Sequence, residues 1–169
     1  IGEWVLRRAC RDVQQLQDEI GLSARLAVNV SPRQFQQKGL HQMVQDALKA
    51  SGLPAHCLEL EITEGVLMED QANIGASLRL LRQLGVCIAI DDFGTGSSRL
   101  SSLRPLPLDR LKSATSFLSA LSAPRTGSRL FDAILATAHS LNLRFWPDGS
   151  ARQEPHHSIR RPPRPHPPR

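Results

Sequence analysis

The chain lacks Tyr, and aromatic residues make up only 4% of its 169 residues, so a core must rely on Leu, Ile and Val. The three cysteines, Cys10, Cys57 and Cys87, lie far apart and form no Cys-x-x-Cys pair. This excludes a secreted disulfide scaffold and predicts a reducing, cytoplasmic setting. No apolar run approaches the roughly 18 residues of a membrane helix, and no signal-peptide pattern is present, so no membrane segment is predicted.

The excess of positive charge is concentrated at the end of the chain. The formal net charge is +5, but residues 1–144 carry 16 Lys and Arg against 14 Asp and Glu. A body with nearly balanced charge does not offer the basic surface that DNA or RNA binding requires. Nucleic acid polymers are therefore excluded as expected partners.

Residues 145–169 form a Pro/Arg-rich tail that contains seven of the twelve prolines. Each Pro removes a backbone donor, so the tail is predicted to be disordered. A ligand for a proline-recognising module and a His metal tract are the alternatives. Because the chain begins with Ile1 and not Met, we expect it to be an excerpt or a truncated product.

Strand and helix patterns alternate along residues 1–144, the predicted domain. Short aliphatic runs predict strands at Leu26–Val30, Leu58–Ile62, Val86–Ile90, Leu108–Lys112 and Leu143–Trp146. Ser31, Pro32 and Gln34 match a capping box with Pro at the first helical position. This alternation predicts a parallel α/β architecture.

Apolar residues three and four positions apart predict the intervening helices. The first helix is expected to end at Gly21 and the second at Gly52. The predicted apolar faces are Val5, Ala9, Val13, Leu16 and Ile20; Leu40, Val44, Ala47 and Leu48; Ile74, Leu78 and Leu81; and Leu130, Ile134, Ala138 and Leu141.

Polar residues recur where the predicted strands end. Asn29, Glu61 and Asp91 are spaced 32 and then 30 residues apart, and Lys112 follows after 21 more. A (β/α)₈ barrel draws its chemistry from this end of several strands, and its eight units need roughly 240 residues. The fold class predicted is therefore an incomplete TIM-like barrel of about five βα units.

Each of these residues also has a structural interpretation. The adjacent carboxylates of Asp91 and Asp92 need a neutralising cation, but a solvated turn would give the same pattern. Glu61, which shares a strand face with Glu59, needs a partner inside a barrel, whereas a half-exposed edge strand would explain both. Asn29 on its own fits a hydrogen-bonded core amide, and Lys112 on its own fits a surface lysine.

Together these residues suggest a metal centre. One amide and three carboxylates form an all-oxygen set that suits Mg²⁺ or Mn²⁺ and not Zn²⁺. Two such ions can bridge a water, lower its pKa and clamp a phosphodiester. A lysine beside that water could position it or stabilise the developing charge.

The chain resembles the EAL domains, which are bacterial cyclic-di-GMP phosphodiesterases. Four motifs carry the resemblance: Asn29–Ser31 (NVS), Glu61–Glu64 (EITE), Asp91–Gly96 (DDFGTG) and Leu106–Lys112 (LPLDRLK). The resemblance covers about residues 1–144 and implies a TIM-like barrel that opens cyclic-di-GMP to the linear dinucleotide with two Mg²⁺ or Mn²⁺ ions.

The resemblance also implies roles for individual residues. Asn29, Glu61, Asp91 and Asp92 match metal-ligand positions. Lys112 matches the lysine associated with the catalytic water, and Glu64 matches the glutamate that holds the loop after Asp92. The substrate contacts stay unassigned. A sensory or cyclase domain upstream and a dimer are both compatible with the resemblance.

Three departures from the family pattern predict impaired activity. The strand that bears the family's name motif, with a metal-binding Glu, is absent from this sequence. Ser113 and Ala114 replace an Ile-Asp pair after Lys112. In place of a Glu-Gly-Val-Glu motif the chain has Asp148 to Ala151, of which Asp148 is a speculative metal ligand.

A reading-frame shift near residue 144 would explain the abrupt change from family-like sequence to the Pro/Arg-rich tail. We expect little or no hydrolysis, so a silent binding or protein-interaction module and a non-functional remnant are the alternatives.

Overall fold

The computed structural model describes residues 2–37, 39–67, 71–93, 106–113 and 135–147, along which helices and parallel strands alternate. The elements in chain order are α1 (Gly2–Ile20), β1 (Leu26–Val30), α2 (Pro32–Gln36), α3 (Leu40–Ser51), a 3₁₀ turn (Ala55–Cys57), β2 (Leu58–Thr63), α4 (Glu64–Leu67), α5 (Gln71–Gln83), β3 (Cys87–Phe93), β4 (Arg110–Ser113), helical residues 135–140, and β5 (Arg144–Pro147). None of the described helices has the length and apolar character needed to cross a bilayer.

The five strands form one sheet in the order β1-β2-β3-β4-β5, and every neighbouring pair is parallel. Parallel neighbours require a crossover connection. α3 lies between β1 and β2, α5 between β2 and β3, and helical residues 135–140 between β4 and β5, whereas most of the β3–β4 connection is outside the described residues. All carboxyl ends of the strands consequently lie at one edge of the sheet. This edge gathers side chains that are far apart in sequence.

The two faces of the sheet differ in polarity because side chains alternate along each strand. One face carries aliphatic residues that are at most 1% exposed: Leu58, Leu60, Ile62, Ile88, Ile90 and Leu111. These pack against the apolar sides of the helices in a single core. The opposite face, termed here the polar face, carries Glu59 and Glu61 of β2 and Arg110 and Lys112 of β4.

The apolar side of α1 differs from the prediction. Leu6 and Cys10 are the buried residues of α1, whereas Val5, Leu16 and Ile20 are 41%, 45% and 50% exposed. Both sets have helical spacing, so periodicity alone cannot tell which stripe faces the core. α1 contacts α3 and β1, and this contact selects the stripe of Leu6 and Cys10.

The other helix predictions agree with the structure. α3 buries Leu40, Val44, Ala47 and Leu48; α5 buries Ile74, Leu78 and Leu81; and Ala138 is buried as well. Gly21 and Gly52 follow the ends of α1 and α3 with φ of +66° and +76°, the left-handed conformation in which glycine terminates helices at little cost. The predicted positions Leu130 and Ile134 lie outside the described residues.

The strand bounds differ from the predicted ones mainly at the ends. β1 is as predicted, but β3 continues to Phe93, so Asp91 and Asp92 lie within it and not after it. Pairing of Phe93 with Ser113 of β4 explains the extension. β5 reaches Pro147 and thus includes three residues assigned to the tail by sequence. The rest of the tail lies outside the described residues, so its disorder stays a prediction.

The predicted capping box is present at the start of α2. The Ser31 hydroxyl accepts a hydrogen bond from the Gln34 backbone N–H at 3.3 Å, and the Gln34 side chain accepts one from the Ser31 N–H at 3.1 Å. Replacing Ser31 by Ala removes one half of this exchange. We expect the free energy of unfolding to fall by about 1 kcal/mol, measured by urea denaturation. Ser31→Asp, which caps as well, should lose little, and an equal loss would contradict the capping explanation.

Candidate functional site

Buried ion pairs connect the two strands of the polar face. The Lys112 Nζ donates a hydrogen bond to Glu61 Oε1 and lies 3.1 Å from Glu59 Oε1. The Arg110 Nη1 lies 2.8 Å from Glu59 Oε2. The four side chains are only 5–13% exposed. Two positive and two negative charges thus neutralise each other within the fold.

Ala89 of β3 makes this arrangement sterically feasible. The register places Ala89 beside both Glu61 and Arg110, and Ala89 is fully buried. Because neighbouring strands are about 4.8 Å apart, β2 and β4 are separated by roughly 10 Å. The long Arg110 and Lys112 side chains bridge this separation across a methyl group. A larger residue at position 89 would obstruct the crossing.

The charge of Lys112 depends on these partners. Burial lowers the pKa of Lys112, but hydrogen bonds to Glu61 and Glu59, together with their charges, raise this pKa by more, and it lies above its ordinary value. The Lys112 side chain is only 13% exposed, so the surface-lysine interpretation is wrong, and Glu61 has the partner that its buried position requires. The edge-strand interpretation of Glu59 and Glu61 is also wrong, because β2 lies between β1 and β3.

The register brings three further predicted residues to the same edge of the sheet. Asn29 is paired with Glu61 across β1 and β2, and its side chain is exposed. Asp91 is paired with Thr63, is half-buried, and accepts a hydrogen bond from the Asp92 N–H at 2.9 Å. Asp92 has a φ of +53°, an uncommon left-handed conformation for a residue with a side chain.

Glu64 and Asp148 are the other two predicted site residues. Glu64 is buried and begins α4 directly after β2. The loop that it was predicted to hold, residues 94–105, is outside the described part of the chain, and so is Asp148. The roles predicted for Glu64 and Asp148 therefore stay predictions.

The oxygen donors fit a divalent cation in kind. Amide and carboxylate oxygens are the ligands that Mg²⁺ and Mn²⁺ prefer, and Asn29, Glu61 and Asp91 lie within two residues of the carboxyl ends of three adjacent strands. Within the described ranges, however, no three His, Cys, Asp or Glu side chains are grouped so that they could hold a metal ion. The Lys112 ammonium instead contacts the Glu61 carboxylate.

Sequence reasoning gave no role to Glu59 or Arg110. A signal was available, because Glu59 and Glu61 alternate along β2 as Arg110 and Lys112 alternate along β4. Residues two apart in a strand share a face. Opposite charges at this spacing in β2 and β4 predict ion pairs between these two strands, once it is known that only the small Ala89 lies between them.

Cys87 and Cys10 make the stability of the fold sensitive to alkaline pH. Burial raises the pKa of both thiols to about 11. For Cys87, the positive charge of Arg110 lowers this pKa and the negative charge of Glu59 raises it. Since the unfolded thiols titrate near 9, stability should be full below pH 9 and fall between pH 9 and 11.

Urea denaturation at pH 8 and pH 10.5 tests this dependence. Relative to the wild type, Cys10→Ala should lose less stability between these two pH values. Val44→Ala, which truncates a fully buried side chain that does not titrate, is the matched control. An identical alkaline loss in the wild type and the Cys10 variant would contradict the expectation.

The family follows from a comparison of the whole chain with known protein families. The EAL domain model matches residues 1–149. This chain belongs to the EAL-domain family. Among its relatives are the cyclic di-GMP phosphodiesterase NbdA of Pseudomonas aeruginosa, 42% identical over 149 residues, and the signaling protein YkoW of Bacillus subtilis, 37% identical over 149 residues. Both matches cover 88% of this chain but only 19% and 18% of those proteins.

Solved structures show the same fold. The PaMucR phosphodiesterase in complex with c-di-GMP is 38% identical, with a TM-score of 0.80 over 86% of this chain and 59% of that one. The EAL domain of Mycobacterium smegmatis DcpA is 37% identical, with a TM-score of 0.82 over 89% of this chain and 68% of that one. The predicted α/β class with TIM-like barrel architecture is confirmed.

Proposed function

We propose that this EAL domain is built for the hydrolysis of cyclic-di-GMP to the linear dinucleotide. The observation that carries the proposal is the contact of Lys112 with Glu61 at the carboxyl edge of the sheet, where Asn29 is in register with Glu61. This edge is where barrels of this class place their chemistry. The relatives named as phosphodiesterases or solved with c-di-GMP support the substrate class.

Asn29, Glu61, Asp91 and Asp92 are the residues that we propose to hold two Mg²⁺ or Mn²⁺ ions. When bound, such ions lower the pKa of a water and neutralise phosphate charge. The positive charge of Lys112 lies beside Glu61. This charge would orient the attacking water and stabilise the negative charge on the phosphate. Glu64 would support the loop that follows Asp92.

We further propose that this chain hydrolyses its substrate slowly. Ser113 and Ala114 stand where the family resemblance implies an Ile-Asp pair, and Ala151 stands where it implies a second Glu. Loss of one partner around a metal site typically costs 10–100-fold in activity or metal affinity. The ion pair of Lys112 with Glu61 adds a competitor for the metal.

A catalytically silent module that binds cyclic-di-GMP is the second candidate. It is favoured by one observation, namely that no three acidic or metal-binding side chains are grouped among the described residues. A silent module needs the surface of the family fold but not its metal centre. We place either module in the cytoplasm, in agreement with its three free cysteines.

The two candidates are separated by measuring binding and turnover on the same protein. The full chain is titrated with cyclic-di-GMP by calorimetry and then incubated with Mn²⁺, with the linear product followed by chromatography. We expect measurable binding and slow product formation that Glu61→Gln abolishes. The matched control is Glu19→Gln, which changes an exposed carboxylate in the last turn of α1.

Each outcome assigns the function differently. Binding without any product supports the silent module, whereas rapid hydrolysis excludes that module and contradicts the proposed low activity. Absence of both binding and turnover contradicts both candidates.

A further inference from the structure

Glu59 and Arg110 are buried charged residues without a role in the proposed chemistry. They are 4% and 8% exposed and pair at 2.8 Å. A buried ion pair is often no more stable than an apolar pair of the same size. Stability therefore gives little reason for the presence of this pair, and its contact with Lys112 suggests another role.

The Lys112 ammonium contacts two carboxylates at once. It donates to Glu61 Oε1 and lies 3.1 Å from Glu59 Oε1. Glu61 is a proposed metal ligand, whereas Glu59 is two residues earlier on the same face of β2. A cation that bound Glu61 would compete with Lys112 for that carboxylate, whereas the Glu59 carboxylate would still lie next to Lys112.

We propose that Glu59 is a positioning residue that retains the Lys112 ammonium when a divalent cation binds Glu61. Arg110 shares the Glu59 carboxylate and thereby limits how strongly Glu59 holds Lys112. The inference rests on the proposed function, because it requires a cation at Glu61. Without Glu59, the same cation would leave a largely buried ammonium without a counter-charge, which is unfavourable.

Removal of Glu59 and removal of Arg110 should therefore change metal affinity in opposite directions. Glu59→Gln is expected to weaken Mn²⁺ binding by about 10–100-fold, the usual effect of losing a supporting residue around a metal site. Arg110→Met is expected to strengthen it, because both Glu59 oxygens then attract Lys112. Lys112→Met is also expected to strengthen it, because the competing ammonium is gone.

The affinity is measured on the full chain by the electron paramagnetic resonance signal of free Mn²⁺, which disappears on binding. Glu19→Gln and Lys49→Met are the matched controls, since they make equivalent changes at exposed positions and should leave the affinity unchanged. Thermal unfolding establishes that each variant is folded. If Glu59→Gln does not fold, the double variant Glu59→Gln/Arg110→Met removes both charges of the pair and should show the same weakening.

The outcomes distinguish this inference from the proposed function. If the wild type binds Mn²⁺ and Glu59→Gln binds it equally well, only the inference is overturned. Equal weakening in the Glu59 and Arg110 variants also overturns it, because a purely structural role would act in this way. If neither the wild type nor Lys112→Met binds Mn²⁺ at millimolar concentration, the proposed metal site fails, and the inference fails with it.

Discussion

Replacing Glu59 by Leu should reduce the free energy of unfolding by about 3–5 kcal/mol, which is the usual cost of removing one partner from a buried ion pair. Arg110 would remain 8% exposed without its carboxylate at 2.8 Å. Lys112 would still be paired with Glu61 and would therefore contribute less to the loss of stability. Urea denaturation followed by circular dichroism at pH 7 measures the change.

Two further variants test whether separating Arg110 from Glu59 causes this loss. The double variant Glu59→Leu/Arg110→Met replaces the ion pair by apolar residues and should regain most of the stability. Glu3→Leu removes an exposed carboxylate that lies 3.0 Å from Arg7 and should cost less than about 1 kcal/mol. A double variant as unstable as the single one would contradict the explanation.

The sequence predicts the strands and helices well because local chemistry specifies them. β1 begins and ends at the predicted residues, Leu26 and Val30, because an aliphatic run is bounded by polar residues on both sides. The start of α2 follows from Ser31 and Gln34, whose hydrogen bonds need no other part of the chain. Such features depend on residues a few positions apart, which is the range that patterns report.

Such sequence patterns do not predict contacts between strands that are far apart in the chain. Lys112 and Glu61 are separated by 51 positions, and their pairing depends on strand order, register and the size of Ala89 between them. The spacing of strand ends predicted that these residues share an edge of the sheet. It gave no reason to join Lys112 to Glu59 as well, because that contact requires a side chain to cross a neighbouring strand.

The apolar side of α1 illustrates a second reason for error. Val5 and Leu6 are neighbours in sequence, and each belongs to a stripe with helical spacing, but only Leu6 is buried. Which stripe is buried depends on where β1 and α3 lie against the helix, and this is decided by tertiary packing. α5 posed no such ambiguity, since Ile74, Leu78 and Leu81 were predicted to be buried and are buried.

Leu78→Ala should therefore cost about 2–5 kcal/mol, because the side chain is fully buried and its removal leaves a cavity between α5 and the core. Leu80→Ala deletes the same atoms two positions away on the same helix, where the side chain is 42% exposed, and should cost less than about 0.5 kcal/mol. Both changes alter helix propensity alike, so the difference between their urea unfolding free energies reports burial alone. Equal losses in the two variants would mean that α5 does not pack on the sheet through this face.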